Sequence, residues 1–173
     1  MKEYNFALMF RLNQRNVNPE IYLDSLYEAG CDDALPGIGK PGYLALDFMR
    51  SSSSAYDAIK GAIASVKSVL TEAELIHISP DLVGIKELAS IFKCSRQNIQ
   101  KFVNKPTFPN PVYKGSQAIW HLAAVLDWFV ANGHQVEREL LEIAELSMSI
   151  NLRIGSQTAN PQALDRAKNL VVA

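Results

Sequence analysis

The chain is poor in cysteine: 173 residues carry two, Cys31 and Cys94. Two thiols make neither a disulfide framework nor a four-ligand zinc site, so both read as reduced small hydrophobes. No apolar run approaches the ~18 residues of a membrane span. Met1-Lys2-Glu3-Tyr4-Asn5 turns straight into alternating sequence, without the apolar stretch of a signal peptide. No membrane partner is expected, and a cytoplasmic location is. Catalytic constellations are also missing. His77, His121 and His134 lie far apart, with no acidic or cysteine partner at metal-ligand spacing. No Ser-His-Asp or Cys-His set is visible, and Asp32-Asp33, being adjacent, would point to opposite faces of a strand. Neither a metal, a cofactor nor an enzymatic activity is expected. What remains is an ordinary globular composition, 48% hydrophobic and 20% charged, which excludes wholesale disorder.

Charge of one sign is scarce overall, with 17 Lys+Arg against 18 Asp+Glu, but it is unevenly placed. Residues 1–80 carry 7 basic and 10 acidic side chains. Residues 81–133 carry 6 and 3, and residues 134–173 carry 4 and 5. The middle third is therefore the electrostatic candidate for a polyanionic partner.

Residues 1–80 read as an α+β domain. Tyr4, Phe6, Leu8, Phe10 and Leu12 alternate as one face of a strand. Asn18-Pro19 opens a helix that turns Tyr22, Leu26 and Ala29 inward and meets Gly30 at its end. A short strand is expected over Cys31–Leu35, a turn over Pro36–Gly42, and a strand over Tyr43–Arg50. Ser51–Ser54 reads as a loop ending in an N-cap. The helix after it has Tyr56, Ile59, Ile63, Val66 and Leu70 as its apolar stripe. Glu74–Ser79 is the last strand, stopped by Pro80. The order βαββαβ is that of a ferredoxin-like domain. Gly37–Gly42 matches G-x-G-x-x-G by letter. A dinucleotide site needs a helix after the glycines, and here a strand follows. Gly42–Phe48 is faintly similar to an RNA-recognition strand but has Ala45 where a stacking aromatic is required.

Residues 81–133 read as two short helices, a hairpin and a third helix. Ile85–Phe92 buries Ile85, Leu88, Ala89 and Phe92, Lys93-Cys94 turns, and Ser95 caps a helix over Arg96–Asn104 that buries Ile99 and Phe102. The spacing Ala89, Cys94, Ser95, Ile99 is that of a DNA-binding helix-turn-helix, with Lys93 where a glycine is usual. Three prolines in Lys105–Pro111 exclude helix and central strand. Val112-Tyr113 and Ala118–Trp120 flank Lys114-Gly115-Ser116-Gln117 as a hairpin wing tied down by Tyr113 and Trp120. The helix after it buries Leu122, Val125, Leu126 and Phe129 and ends at Asn132-Gly133.

The stretch 85–129 resembles the small winged helix-turn-helix regulators of the AlpA and phage-excisionase type, distant relatives of the MerR group. The likeness lies in Glu87-Leu88-Ala89, Ser95-Arg96, Phe108-Pro109-Asn110-Pro111, Gly115, Trp120 and Asp127-Trp128. It implies double-stranded DNA as partner. The second helix would enter the major groove and the hairpin would touch the flanking backbone. The candidate DNA-binding residues are Ser95, Arg96, Gln97, Gln100, Lys101 and Lys105 with Lys114 and Ser116 of the wing, since Arg forks onto guanine and Gln onto adenine. The alternative is a protein-interaction module that docks through the same winged helix.

In residues 134–173, Val136, Leu140, Ile143, Leu146, Ile150 and Ile154 recur with a period of 3.6. They predict an amphipathic helix ending at Gly155, then a polar loop over Gln157–Pro161. The stripe is a candidate homodimer surface, or else packs on the winged helix of its own chain. A protein or small-molecule partner is left open for residues 1–80.

Overall fold

The structure is a computed structural model, described over residues 1–37 and 40–171. It is a mixed α+β protein built on two antiparallel sheets. The first contains β1 (Lys2–Arg11), β2 (Ala34–Gly37), β3 (Tyr43–Ser52) and β4 (Glu74–Ser79), in the spatial order β2-β3-β1-β4. The alternation in β1 carries through: Tyr4, Phe6, Leu8 and Phe10 are buried and face Leu44, Leu46 and Phe48 on β3. The intervening residues form an open face on which Met9 and Met49 are exposed.

Helices cover only the apolar face. The first helical segment runs as a 3-10 turn (Pro19–Tyr22), α1 (Leu23–Leu26) and a π turn (Tyr27–Cys31). Asn18 caps it, its side chain accepting from the Glu20 N–H. The strand expected over Cys31–Leu35 therefore begins three residues later. Cys31 goes into the core as the last helical residue, 5% exposed. Arg50 fixes this end of the segment, since its guanidinium grips Asp33 at 2.6 and 2.7 Å and the Gly30 carbonyl at 2.5 Å. β2 takes Pro36 and Gly37 out of the expected turn. Pro36 is tolerated because β2 lies at the edge of the sheet. Ile38 and Gly39 of the glycine motif lie outside the described residues. Gly42 has φ +79°, and a Cβ there would stand 2.5 Å from the Arg15 carbonyl, so only glycine fits.

β3 extends through Ser51 and Ser52, which were expected in a loop, while Ser54 caps α2 (Ala55–Val69) by accepting from the Asp57 N–H at 3.1 Å. The buried stripe of α2 is Ala55, Ala58, Ile59, Ala62 and Val66. Tyr56, expected inside, is 60% exposed and carries the Lys60 ammonium over its ring. The alanines let the helix lie close to the sheet, which leaves no room for a phenol.

The second sheet has the order β5-β7-β6, from β5 (Leu82–Val83), β6 (Tyr113–Lys114) and β7 (Ala118–His121). Around it stand α3 (Ile85–Ile91), α4 (Arg96–Val103) and α5 (Leu122–Ala131). β5 has no sequence signature; two residues make a strand only because β7 offers them an edge. Phe108, Trp120, Leu122, Val125, Leu126, Trp128 and Phe129 form the core of this half.

α6 (Arg138–Thr158) runs straight through Gly155, where nothing lies within 4 Å of a Cβ position and the helix meets no obstacle. The polar loop shrinks to Ala159 and Asn160, and Asn160 caps α7 (Pro161–Lys168). The apolar stripe of α6 is consumed within the chain. Ile143 is 1% exposed in the first core, with Leu146 and Ile150 against it. Ala144 is fully buried in the second, with Val136 and Leu140 against it. The stripe thus packs against both cores of its own chain, with Leu146 and Ile150 half-buried.

Polar contacts lock this helix in place. Asn151 accepts from the Ile78 N–H at 2.9 Å and donates to the Ile78 carbonyl at 2.7 Å, pairing with the outer edge of β4 as a strand would. It also donates to Asp81 Oδ2 at 2.8 Å. The other oxygen of Asp81, a residue 2% exposed, meets His121 Nδ1 at 2.6 Å. Asp81→Ala removes one of the two acceptors of Asn151 Nδ2 and the partner of His121 Nδ1, and is expected to lower the unfolding free energy by about 2–3 kcal/mol. Urea denaturation checks this, and a loss below about 0.5 kcal/mol, the scale of an ordinary surface change, would remove the network from the stability of the fold.

At the other end of α6, Glu142 accepts from the Tyr4 hydroxyl at 2.7 Å and from Lys2 at 3.1 Å. The Tyr4 hydroxyl first, and then Lys2, hold its carboxyl below the usual glutamate value. A depressed pKa stabilises the folded state above the unfolded value and is lost as pH falls through the folded one. Wild type should therefore lose stability on acidification below about pH 4 more steeply than Glu142→Gln. Thermal midpoints measured across that range decide it, and parallel curves would refute the link.

Candidate nucleic-acid interface

The turn between α3 and α4 sets the geometry of the basic half. Ala89, 8% exposed, stands where the helices cross, and its carbonyl accepts from the Cys94 N–H at 2.9 Å. Between them Lys93 adopts φ +49°, the left-handed conformation that glycine takes without strain. Ser95 then caps α4, its Oγ accepting from the Asn98 N–H at 3.2 Å. Ile99, 1% exposed, is the inward anchor of α4. With 100° per residue, Gln97 and Lys101 project opposite Ile99, Arg96 and Gln100 lie on one flank, and Asn98 on the other.

The expected site residues are all exposed, but they are not equivalent. α4 brings Arg96, Gln97, Gln100 and Lys101 onto one outward surface. The Ser95 hydroxyl is committed to the cap. Gln100 donates to Asn104 Oδ1 at 2.9 Å, so that pair presents itself as a unit. Lys105 folds back around the end of α4, its ammonium 5.3 Å from the Phe102 ring centroid and 5.4 Å from that of Trp128. Lys114 is the last residue of β6, and Ser116 lies in the turn. Asn98 and Asn104 are exposed amides of the same helix that the sequence reading left out. The helical period alone would have placed both on the solvent side.

Aromatic packing holds the hairpin and the proline-rich segment. Phe108 lies edge-on to Trp120 and Trp128. Trp120 Nε1 donates to the Pro109 carbonyl at 2.9 Å, and Trp128 Nε1 to Thr107 Oγ1 at 3.2 Å. Tyr113 does not tie the hairpin down as expected. It is 60% exposed, and its ring covers Gly115, where a Cβ would stand 2.1 Å from the phenol oxygen. The glycine makes room for the ring, and Trp120 is the buried aromatic anchor of the hairpin.

Electrostatics sharpen the surface beyond its count of charges. All six basic residues of 81–133, Lys86, Lys93, Arg96, Lys101, Lys105 and Lys114, are exposed. None takes part in the ion pairs found among the described residues. Of the three acids, Asp81 is buried and Glu87 accepts from the Gly84 N–H at 3.0 Å, leaving Asp127 on α5. Among the described residues no three His, Cys, Asp or Glu side chains gather as a metal site, and no helix is long and apolar enough to cross a membrane. Comparison with protein-family models, curated proteins and solved structures gave no match.

The conformation of Lys93 yields a prediction. A non-glycine residue in the left-handed region costs about 1–2 kcal/mol, and glycine returns part of that gain through its looser unfolded chain. Lys93→Gly is expected to raise stability by about 0.5–1 kcal/mol net. An unfolding midpoint that stays put or falls would show that the turn is unstrained.

Proposed function

We propose that the protein is a sequence-specific, double-stranded-DNA-binding regulator acting in the cytoplasm, with a ferredoxin-like domain followed by a winged helix-turn-helix. The strand order β2-β3-β1-β4, with helices on one face, supports the first unit. The α3–turn–α4 pair, with β5 before it and the β6–β7 hairpin after it in one three-stranded sheet, supports the second. The observation that carries DNA binding is the set of six exposed cations without a carboxylate partner among the described residues, two of which, Arg96 and Lys101, stand on α4 with Gln97 and Asn98. Polyphosphate affinity needs the first property, and reading of base edges needs the second.

In this reading α4 lies in the major groove. Gln97, Lys101 and Arg96 meet bases or phosphates, the Gln100–Asn104 pair contributes an amide edge, and Lys114 neutralises a flanking phosphate. The chemistry is occupancy of a site, without a reaction. One short helix reads few base pairs, so a homodimer on a two-fold site is part of the proposal. The open face of the first sheet leaves residues 1–80 free to take a protein or small-molecule partner.

Selection of bound fragments from a random duplex pool supplies the cognate site. Arg96→Ala should then weaken that site by about 1–3 kcal/mol and random duplex by less. Lys114→Ala should weaken both alike and flatten the slope of log affinity against log salt by about one unit. Wild type that binds no duplex even at low salt would overturn the proposal and favour docking to protein.

A further inference from the structure

On the Asn98–Phe102 flank of α4 lies a groove of about 530 Å³, which shares Lys101 with the proposed DNA surface. Its floor is apolar and aromatic. Phe92, Phe102 and Phe129 meet there, with ring centroids 4.3 Å apart for Phe92 and Phe129 and 5.0 Å for Phe102 and Phe129. His134, just beyond α5, closes one wall, edge-on to Phe102 at 5.3 Å and to Phe129 at 5.1 Å. Lys101 and Lys105 line the groove as its charged residues, and no acidic side chain lines it. Lys105 is held by the faces of Phe102 and Trp128 rather than by an anion.

We infer that this groove binds a small aromatic carboxylate, its ring on the Phe92–Phe102–Phe129 floor and its carboxylate between Lys101 and Lys105. Three features select that class. The volume falls within the range of small-molecule sites, about 300–1,000 Å³, and is too small for a folded partner. The rings meet at 36° and 68°, with Phe129 buried beneath the half-buried Phe92 and Phe102, so a flat apolar body gains offset or edge-on contact with the latter two. Two lysines in the lining, neither in an ion pair among the described residues, favour an anion, and a carboxylate makes charge-assisted hydrogen bonds with them. The neutral half of such a ligand would gain little from water-exposed lysines, and a bare anion would leave the aromatic floor uncovered. The inference stands on the groove and holds whether or not the chain binds DNA.

Isothermal titration calorimetry of the full chain, without DNA, tests it with sodium 2-naphthoate and, as the uncharged control, 2-naphthalenemethanol. The expected result is saturable binding of the naphthoate, at least about tenfold tighter than the alcohol, since each tenfold step corresponds to one well-made charged contact. Lys101→Met and Lys105→Met should each weaken the naphthoate severalfold and leave the alcohol unchanged. Lys105→Arg, which keeps the charge, should restore most of the lost affinity. Unchanged thermal midpoints confirm that these exposed substitutions leave the fold intact. No heat of binding up to millimolar naphthoate overturns the inference. So does equal affinity for acid and alcohol, or indifference to both lysine substitutions.

Discussion

One buried carboxylate ties the molecule together. Asp81 leaves the first sheet two residues after β4 and is 2% exposed. Its oxygens are held by His121 at the start of α5 and by Asn151 in the middle of α6, while its own carbonyl accepts from the Leu122 N–H. Three elements that are remote in sequence therefore converge on one residue. A buried carboxylate without these donors would be costly, so the end of β4, the head of α5 and the side of α6 must arrive together. Asn151 adds to this by satisfying both backbone groups of Ile78 on the outer edge of β4, which blunts that edge against pairing with another chain.

From that constraint follows the role of α6. Ile143 and Ala144 are neighbours in sequence, yet one closes the core under the first sheet and the other closes the core under α5. Successive residues of a helix diverge by 100°, so a single helix can wall two cores at once when its apolar arc is wide. The small residues Ala144 and Ser147, both fully buried, let the neighbouring elements approach it. Ser147 Oγ has no hydrogen-bond partner among the described residues. The two halves are thus joined through a shared hydrophobic wall and a polar lock. The half carrying α4 is thereby joined to the first sheet through α6.

The distribution of charge is the second consequence. In the basic half Asp81 is buried and Glu87 bonds the backbone, which leaves Asp127 as the exposed acid against six exposed cations. A small sequence excess becomes a surface with little to neutralise it. Lys101 and Lys105 belong to both the outward surface of α4 and the groove on its flank. A carboxylate lodged in that groove and a phosphate outside it would draw on the same two charges.

Much of this was legible in the chain because local physics decided it. Alternation fixed β1 and the inward side of β3, since a sheet covered on one face leaves no freedom in which residues turn in. Ser95, Ser54 and Asn18 announced their helices by capping chemistry, and the spacing from Ala89 to Ile99 announced a tight crossing of two helices. Tertiary structure decided what no local pattern encodes. β5 exists because β7 offers it an edge. The strand after Cys31 starts late because the core takes that thiol as the last helical residue, and α6 passes Gly155 because nothing there resists it. The period of α6 specified an apolar face but could not say what would cover it, because a stripe looks the same whether it meets its own chain or another. The contact of Asp81 with Asn151, 70 residues away, depends on a path through space that neither residue's neighbours describe.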